Sequence, residues 1–188
     1  MAQAKTLTPG ELDQVLAHIA QHKYALRNRV MLLTGFWSGM RVGEISSLTV
    51  GDVTNADGTV KAEIRLTAEQ TKGRHPRTVF IPQKLRDELQ AYLALRQPLK
   101  LEHPLFITAG RKAFSANVLT QHFHWLFKRA GISGASSHTM RRSFITNLAT
   151  KGIGVRVLAS LAGHRSIAVT QKYIDVNDDM KRNAVELV

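Results

Sequence analysis

The chain has 188 residues, with 26 lysines and arginines against 14 aspartates and glutamates, so its formal net charge is +12. This length fits one domain, and the basic excess predicts a polyanionic partner, either nucleic acid or an acidic membrane surface. The absence of cysteine excludes disulfides, thiolate catalysis and cysteine-based zinc sites; with no membrane-span or signal-peptide pattern either, we expect a cytoplasmic protein.

The excess charge is concentrated in one part of the chain. Residues 103–174 carry 10 basic and no acidic side chains, whereas residues 1–102 have a net charge of +4 and residues 175–188 a net charge of −2. A long stretch without carboxylates is typical of a surface that accepts phosphates. A membrane-binding helix is disfavoured because the basic residues are scattered among several predicted elements.

The N-terminal half combines helical and strand patterns. Residues 8–11 have the capping-box pattern of a helix start, and a second apolar segment covers 30–37. Alternating apolar residues over 60–67 and a β-rich run at 78–81 predict antiparallel strands. The polar, basic connection at 70–76 is then an exposed hairpin tip.

The C-terminal half is helical by pattern. Gly131, Gly152 and Gly163 are predicted helix ends. The predicted helices cover residues 83–97, 115–130, 138–150, 154–162 and 167–180.

Two short motifs contain residues suited to binding phosphate. Arg41 follows a glycine turn and precedes Glu44 by three positions, as in a guanidinium held by a carboxylate or an ordinary helical ion pair. His138 and Arg141 share one face near a predicted helix N-terminus, which fits a phosphate site or a charged surface face.

Tyr173 follows a Gly163-His164 pair by nine residues. A tyrosine in such a place is a nucleophile candidate or a packing residue.

Each motif alone is weak, but their order along the chain is specific, with Lys72 on the hairpin tip between the Arg41 motif and the His138 motif. The sequence resembles the catalytic domain of the tyrosine recombinases, or phage integrase family, from about residue 8 to residue 173. The motifs that carry the resemblance are Gly39-Met40-Arg41-Val42-Gly43-Glu44-Ile45, Gln70-Thr71-Lys72-Gly73, His138-Thr139-Met140-Arg141-Arg142-Ser143-Phe144 and Leu161-Ala162-Gly163-His164-Arg165-Ser166-Ile167, with Thr170 and Tyr173.

The resemblance implies an α+β, mostly helical catalytic-domain fold with a small three-stranded antiparallel sheet. It also implies site-specific DNA recombination through a 3′-phosphotyrosyl bond to Tyr173, as integration, excision or inversion. Arg41, Arg141 and His164 would bind the scissile phosphate. No metal, ATP or other cofactor is implied.

The resemblance assigns supporting roles to three further residues. Lys72 would protonate the departing 5′ oxygen, His138 would bind the phosphate or help to take the tyrosine proton, and Glu44 would orient Arg41.

The predicted helix 115–130 is amphipathic, with Val118, Phe123, Leu126 and Phe127 expected to face the core. Its polar face either reads DNA bases or is simply solvated. The DNA-binding candidates of the chain are Arg74, Asn117, Gln121, His122, Lys128, Arg142 and Arg165.

Most relatives carry an N-terminal DNA-binding domain, which is absent before residue 8. We therefore expect residues 1–188 to be a catalytic domain, either excised from a longer protein or like the naturally short fimbrial phase-switch invertases. The tail at 174–188 is acidic and then apolar, and in relatives the corresponding tail often docks on a neighbouring subunit. The resemblance therefore implies a homotetramer on paired recombination sites in double-stranded DNA, and a monomer or weak oligomer when the protein is free of DNA.

Two other functions fit the same motifs. A type IB topoisomerase shares this chemistry, but the short segment from His164 to Tyr173 and the lack of long linker helices favour a recombinase. A catalytically idle DNA-binding regulator would be expected to lack at least one key residue, whereas all of them are present.

Overall fold

The computed structural model describes residues 4–97, 99–174 and 178–186. Within these ranges the chain forms ten α-helices and a two-stranded sheet. The helices are α1 (Pro9–Ala20), α2 (Ala25–Ser38), α3 (Val42–Ser47), α4 (Val50–Val53), α5 (Gln83–Ala94), α6 (Ala116–Arg129), α7 (Thr139–Thr150), α8 (Val155–Ala162), α9 (Ile167–Gln171) and α10 (Asp178–Val185). The strands are β1 (Glu63–Leu66) and β2 (Arg77–Phe80). Within the described ranges, no helix is both long and apolar enough to cross a membrane.

Helix α2 is the centre of the hydrophobic core. Its residues 30–33 have no exposed surface, and it packs against α1, α3, α5 and α7. A helix surrounded by neighbours is apolar on most of its circumference, which explains the apolar segment at 30–37.

Helix α1 begins with the predicted capping box. The Thr8 hydroxyl accepts a hydrogen bond from the Glu11 N–H at 3.2 Å, and the Glu11 carboxylate accepts one from the Thr8 N–H at 3.0 Å. Two backbone donors that the first helical turn leaves unpaired are thereby satisfied.

The sheet has two strands in the described part of the chain, so the prediction of three strands is wrong. Strand β1 pairs antiparallel with β2, with Ile64 opposite Val79. Val60 belongs to the alternating segment but forms only an isolated bridge with Thr54. The chain bends at Ala62 before β1 begins, and this bend separates Val60 from the ladder.

Three glycines end helices or follow them as predicted. Gly131, Gly152 and Gly163 have φ angles of 77°, 79° and 61°. This left-handed conformation ends a helix at little cost only for glycine.

The single helix predicted over 167–180 is wrong. Helix α9 ends at Gln171, and the N–H of Tyr173 donates to the carbonyl of Thr170 at 2.9 Å, which is the tighter spacing of a turn. Tyr173 therefore lies in a turn after α9. Residues 175–177 of the predicted helix lie outside the described residues, and α10 follows them.

Candidate active site

Arg41 lies at the junction of α2 and α3, two residues after a glycine that turns the chain. Gly39 has a φ of 66°, and a Cβ added there would overlap the ring of Phe144 on α7. Only glycine permits this turn so close to the aromatic ring. Arg41 is then the residue that immediately precedes α3, and its side chain is partly exposed.

Glu44 holds Arg41 through both its backbone and its side chain. The Glu44 carboxylate accepts hydrogen bonds from the Arg41 backbone N–H at 2.7 Å and from the Arg41 guanidinium at 3.0 Å. The predicted pair is therefore present. Burial alone would raise the pKa of Glu44, but the hydrogen bonds and charge of Arg77, followed by those of Arg41, hold this pKa below its ordinary value. Glu44 is consequently ionised at neutral pH.

Arg77 on β2 is the second partner of Glu44, and it is absent from the residues predicted for the site. Its Nε and one terminal nitrogen donate to the two carboxylate oxygens at 3.1 and 2.7 Å, and its side chain is only 10% exposed. A signal for it exists in the sequence. Arg77 stands two residues before the buried Val79, so both face the same side of the strand, and a buried arginine needs a partner.

Arg141 on α7 is buried and donates to two carbonyl oxygens. Its guanidinium binds the carbonyl of Gly39 at 2.6 Å and that of Ala162. Burial, followed by the positive charge of Arg41, lowers the pKa of Arg141 to about 9. The guanidinium is still protonated at neutral pH.

Three arginines converge on the C-terminal turn of α8. The end of a helix leaves carbonyl groups unpaired and carries the negative end of the helix dipole, so it attracts cations. Two of these carbonyls, at residues 159 and 160, accept backbone N–H groups of the turn itself. The next three each accept a hydrogen bond from a different guanidinium: Leu161 from Arg77 at 2.9 Å, Ala162 from Arg141, and Gly163 from Arg41 at 3.3 Å.

His164 follows this turn directly, and its ring is held by Thr170 and Tyr173. Its Nδ1 lies 2.8 Å from the hydroxyl oxygen of the completely buried Thr170. Its ring stacks on the Tyr173 ring, with the centroids 5.6 Å apart and 21° between the planes. Burial, followed by the charges of Arg141 and the other two arginines, lowers the pKa of His164 to about 4. The imidazole is therefore neutral at neutral pH.

Tyr173 is fixed by contacts from α7 as well. Its carbonyl oxygen accepts a hydrogen bond from the Thr146 hydroxyl at 3.2 Å, and the guanidinium carbon of Arg142 lies 5.5 Å from its ring centroid. Arg142, a predicted DNA-binding residue, is buried beside this ring. It lies at the wall of a cleft that Tyr173 also lines.

Two adjoining clefts contain the exposed parts of the site. One, of about 590 Å³, is lined by Arg41, Lys72 and His138 together with Glu44. The other, of about 520 Å³, is lined by His138, Arg142, Lys172 and Tyr173. Because His138 lines both clefts, it stands between Lys72 on one side and Tyr173 on the other. In the described chain, no three histidine, aspartate or glutamate side chains group closely enough to hold a metal ion.

Lys72, Arg74 and Arg165 are exposed. Lys72 and Arg74 lie in the connection between β1 and β2, where Arg74 has a φ of 55° and approaches Glu69 at 3.8 Å. Arg165 follows His164 and precedes α9.

Helix α6 exposes one polar face. Asn117, Gln121, His124 and Lys128 are all exposed, and their spacing of four, three and four residues places them along one side of a helix. His124 was missed by the sequence analysis, although this spacing identifies it. A small cavity of about 170 Å³ next to His124 and Lys128 continues this face.

The prediction that His122 shares this face is wrong. Its ring packs edge-on against Phe114 and Phe123, and its Nε2 is buried without a hydrogen-bond partner. Val118, expected in the core, is 48% exposed, whereas Leu119 is completely buried. The buried face of α6 is thus rotated relative to the predicted one.

Comparison with known proteins places this arrangement in a family. A family model described as the phage integrase family matches residues 5–180. The chain belongs to the phage integrase family. All six residues predicted to be catalytic lie inside the matched range, which ends seven residues after Tyr173.

The phage integrase relatives include tyrosine recombinase XerA of Pyrococcus furiosus, which is 31% identical over 186 residues, covering 97% of this chain and 61% of that protein. The chain spans about three fifths of the length of the curated relatives it matches. Its fold matches a crystal structure of XerA recombinase with a TM-score of 0.78 and 24% identity, covering 100% of this chain and 66% of that one. It also matches the Tn1549 transposon integrase in complex with circular intermediate DNA, with a TM-score of 0.75 and 19% identity, covering 99% of this chain and 67% of that one.

Proposed function

We propose that residues 1–188 are the catalytic domain of a site-specific DNA recombinase that cleaves and rejoins DNA through a phosphotyrosine intermediate. The observation that carries this proposal is the convergence of Arg41, Arg141 and His164 on the turn at residues 161–164, against the ring of Tyr173. Attack on a phosphodiester places negative charge on the phosphoryl oxygens. Fixed cationic and hydrogen-bond donors beside a nucleophile stabilise that charge.

In the first step, the hydroxyl oxygen of Tyr173 attacks the scissile phosphorus, and the bond from phosphorus to the 5′ oxygen breaks. The tyrosine proton passes to His138 or to water, and Lys72 donates a proton to the departing 5′ oxygen. The products are a 3′-phosphotyrosyl ester and a free 5′-hydroxyl group. Attack by another 5′-hydroxyl reverses the step, so the reaction consumes no ATP. The guanidinium groups of Arg41 and Arg141 supply the charge stabilisation that metal ions supply in many nucleases.

Arg41, Arg141 and His164 bind the scissile phosphate in this mechanism. Each guanidinium has five N–H groups, so those that bind carbonyl oxygens leave others for the phosphate. With Nδ1 of His164 accepting from the Thr170 hydroxyl, the neutral ring carries its proton on Nε2 and donates it to the phosphate. Glu44 orients Arg41.

Double-stranded DNA is the proposed partner, and the enzyme acts in the cytoplasm on DNA. The acid-free segment 103–174 contains α6, whose exposed Asn117 and Gln121 suit adenine edges in the major groove. Lys128, Arg74 and Arg165 supply phosphate contacts. The complex of the Tn1549 integrase with DNA supports this partner for the fold.

We also propose a homotetramer on paired recombination sites, with the tail at 174–188 docking on a neighbouring subunit. Val185 near its end is 68% exposed, and burial of its apolar surface against a partner would be favourable. Deletion of residues 181–188 is expected to abolish synapsis while leaving the first cleavage step intact.

Covalent capture of DNA tests the reaction without knowledge of the target sequence. The protein is incubated with a pool of duplexes of random sequence in buffer with EDTA and no ATP. Each duplex is nicked so that the short fragment that carries the free 5′-hydroxyl group diffuses away after cleavage. We expect an adduct that survives detergent and heat, and sequencing of the captured DNA then identifies the site.

The variant Tyr173→Phe is expected to form no adduct while binding DNA as well as the wild type does. An adduct that persists in this variant would exclude Tyr173 as the nucleophile. Binding without any adduct would indicate a regulator, and captured DNA with no sequence enrichment, together with relaxation of supercoiled plasmid, would indicate a topoisomerase.

A further inference from the structure

The Arg77 side chain is only 10% exposed, and its guanidinium binds groups of the candidate site. Its Nε and one terminal nitrogen bind the two oxygens of Glu44, and its other terminal nitrogen binds the carbonyl of Leu161. Its aliphatic chain lies so close to Gly163 that an added Cβ there would be 2.6 Å from Cδ of Arg77. One side chain of β2 thus contacts both α3 and the end of α8.

Through Glu44 and the carbonyl of Leu161, these contacts fix the segments that carry Arg41 and His164. Glu44 holds the backbone and guanidinium of Arg41, and the turn that begins at Leu161 leads directly to His164. Loss of the Arg77 guanidinium would leave Glu44 with Arg41 as its remaining ion-pair partner and would free the carbonyl of Leu161. Both changes displace groups that the proposed mechanism places on the phosphate.

A gain in stability explains this arrangement poorly. Taking an ion pair out of water costs about as much free energy as the attraction returns, so a buried pair contributes little net stability. The planar fork of arginine, however, binds a carboxylate through two parallel hydrogen bonds and fixes its orientation, which lysine does not do. The geometry therefore favours orientation as the role of Arg77.

We infer that Arg77 is a positioning residue for DNA cleavage: it fixes Glu44, and through Glu44 and the α8 turn it places Arg41 and His164. The inference rests on the proposed recombinase function, since it names a residue that prepares the same site. Arg77 lines neither of the two clefts at the site, so its role is to hold the residues that do.

Arg77→Met tests the inference first without DNA, by carbon NMR of the Glu44 carboxyl group across pH. We expect the pKa of Glu44 to rise into the measurable range. Burial raises this pKa, and in the variant Arg41 is the one hydrogen-bonding partner left to lower it. An unchanged Glu44 titration would overturn the inference whatever the function of the protein. The charged and titratable groups around Glu44 are Arg41 before α3, Arg77 on β2, Arg141 on α7, His164 after α8, and Glu69, Lys72 and His138 in the adjoining cleft.

The second measurement is the rate of covalent adduct formation at saturating DNA. Loss of a residue that orients a metal ligand lowers activity by roughly tenfold to a hundredfold. By analogy we expect a loss of similar size in Arg77→Met, with unchanged DNA affinity. The residual rate should rise with pH in parallel with the ionisation of Glu44 that the NMR titration measures. The double variant Arg77→Met/Glu44→Gln should be slow at every pH. Identical pH profiles for the single and double variants would show that Arg77 does not act through Glu44.

Two variants separate positioning from folding. Arg96 also donates to carbonyl oxygens, those of Pro104 and Leu105, but away from the site, so Arg96→Met should lose stability without changing the adduct rate. Arg77→Lys keeps the charge and should keep Glu44 ionised, yet cleave slowly because it lacks the fork. Adduct formation by Arg77→Lys at the wild-type rate would overturn the positioning role. If the wild type itself forms no adduct, the recombinase proposal fails, while the NMR result still decides whether Arg77 fixes Glu44.

Discussion

The imidazole of His164 stacks on the phenol ring of Tyr173, with the centroids 5.6 Å apart and the planes inclined by 21°. The same imidazole is bound at Nδ1 by the hydroxyl of Thr170, 2.8 Å away. The short helix α9 and the turn after it therefore bring a histidine and a tyrosine nine residues apart into contact. The hydrogen bond with Thr170 fixes the orientation of the histidine ring.

The hydroxyl of Thr170 is expected to control the adduct rate. Thr170→Val removes the hydrogen bond to His164 and nearly preserves the side-chain volume, so the ring loses its fixed orientation. We expect covalent capture of DNA to slow by roughly tenfold and the free energy of unfolding to fall by about 1–2 kcal/mol. Thr150→Val removes an exposed hydroxyl that binds the carbonyl of Asn147 and should change neither. Equal rates for the two variants would contradict the role of Thr170.

The buried imidazole of His122 predicts a specific loss of stability in acid. Burial, followed by the charges of Arg27 and Arg129, lowers the pKa of His122 from its ordinary 6.5 to about 4. Between these values the unfolded chain binds a proton that the folded chain does not, so the free energy of unfolding falls as pH falls through this window. The loss levels off below about pH 4.

The variant His122→Phe should remove this contribution. We expect its Tm to exceed that of the wild type by more at about pH 5 than at about pH 7.5, because only the wild-type unfolded chain gains a proton at residue 122. Part of the acid sensitivity that remains belongs to His164, whose pKa is lowered to about 4. A constant Tm difference across this range would contradict the prediction.

Gly163 is required for two separable reasons, a positive φ and the approach of Arg77. At Gly152 the φ is also positive, at 79°, but an added Cβ would meet nothing within 4 Å. Gly152→Ala should therefore cost only the conformational penalty of about 1–2 kcal/mol. Gly163→Ala should lower the free energy of unfolding, measured by urea denaturation, more than Gly152→Ala does. It should also slow adduct formation, because the added Cβ displaces Arg77. Equal effects of the two substitutions would show that the Arg77 contact is unimportant.

The exposed face of α6 is expected to bind DNA phosphates through Lys128. Lys128→Gln should weaken binding to random-sequence duplex and reduce the slope of log affinity against log salt by about 1, since one fewer counterion is released. Lys84 on α5 lines neither active-site cleft. Lys84→Gln is therefore the matched control, since it also removes one positive charge. Fluorescence anisotropy over a salt series measures both. The same change in slope for both variants would indicate a diffuse charge effect.

Much of the local structure follows from neighbouring residues, and the sequence predicts it. The capping box at Thr8, the pair of Arg41 and Glu44, and the helix ends at Gly152 and Gly163 each depend on groups within a few residues of one another. Their geometry is that of a single turn, so chain chemistry alone determines it. The exposed hairpin connection that contains Lys72 follows in the same way.

Tertiary packing decided the rest. Arg77 meets Glu44 from 33 positions away, and the three guanidinium groups reach the end of α8 from β2, α7 and the start of α3. The rotation that buries His122 and exposes His124 depends on which neighbours cover α6. The end of α9 at Gln171 has no glycine or proline to signal it.

The difference between what the sequence predicts and what packing decides has a physical cause. Helical periodicity and caps arise from the fixed spacing of backbone groups along the chain, so they can be predicted from the order of residues. Hydrogen bonds between distant segments depend on how whole elements pack, and a shift of one residue around a helix exchanges a buried side chain for an exposed one. The sequence by itself determined the family motifs and the concentration of basic residues at 103–174. Only the tertiary structure decided that Arg77 is the third arginine bound to the turn before His164.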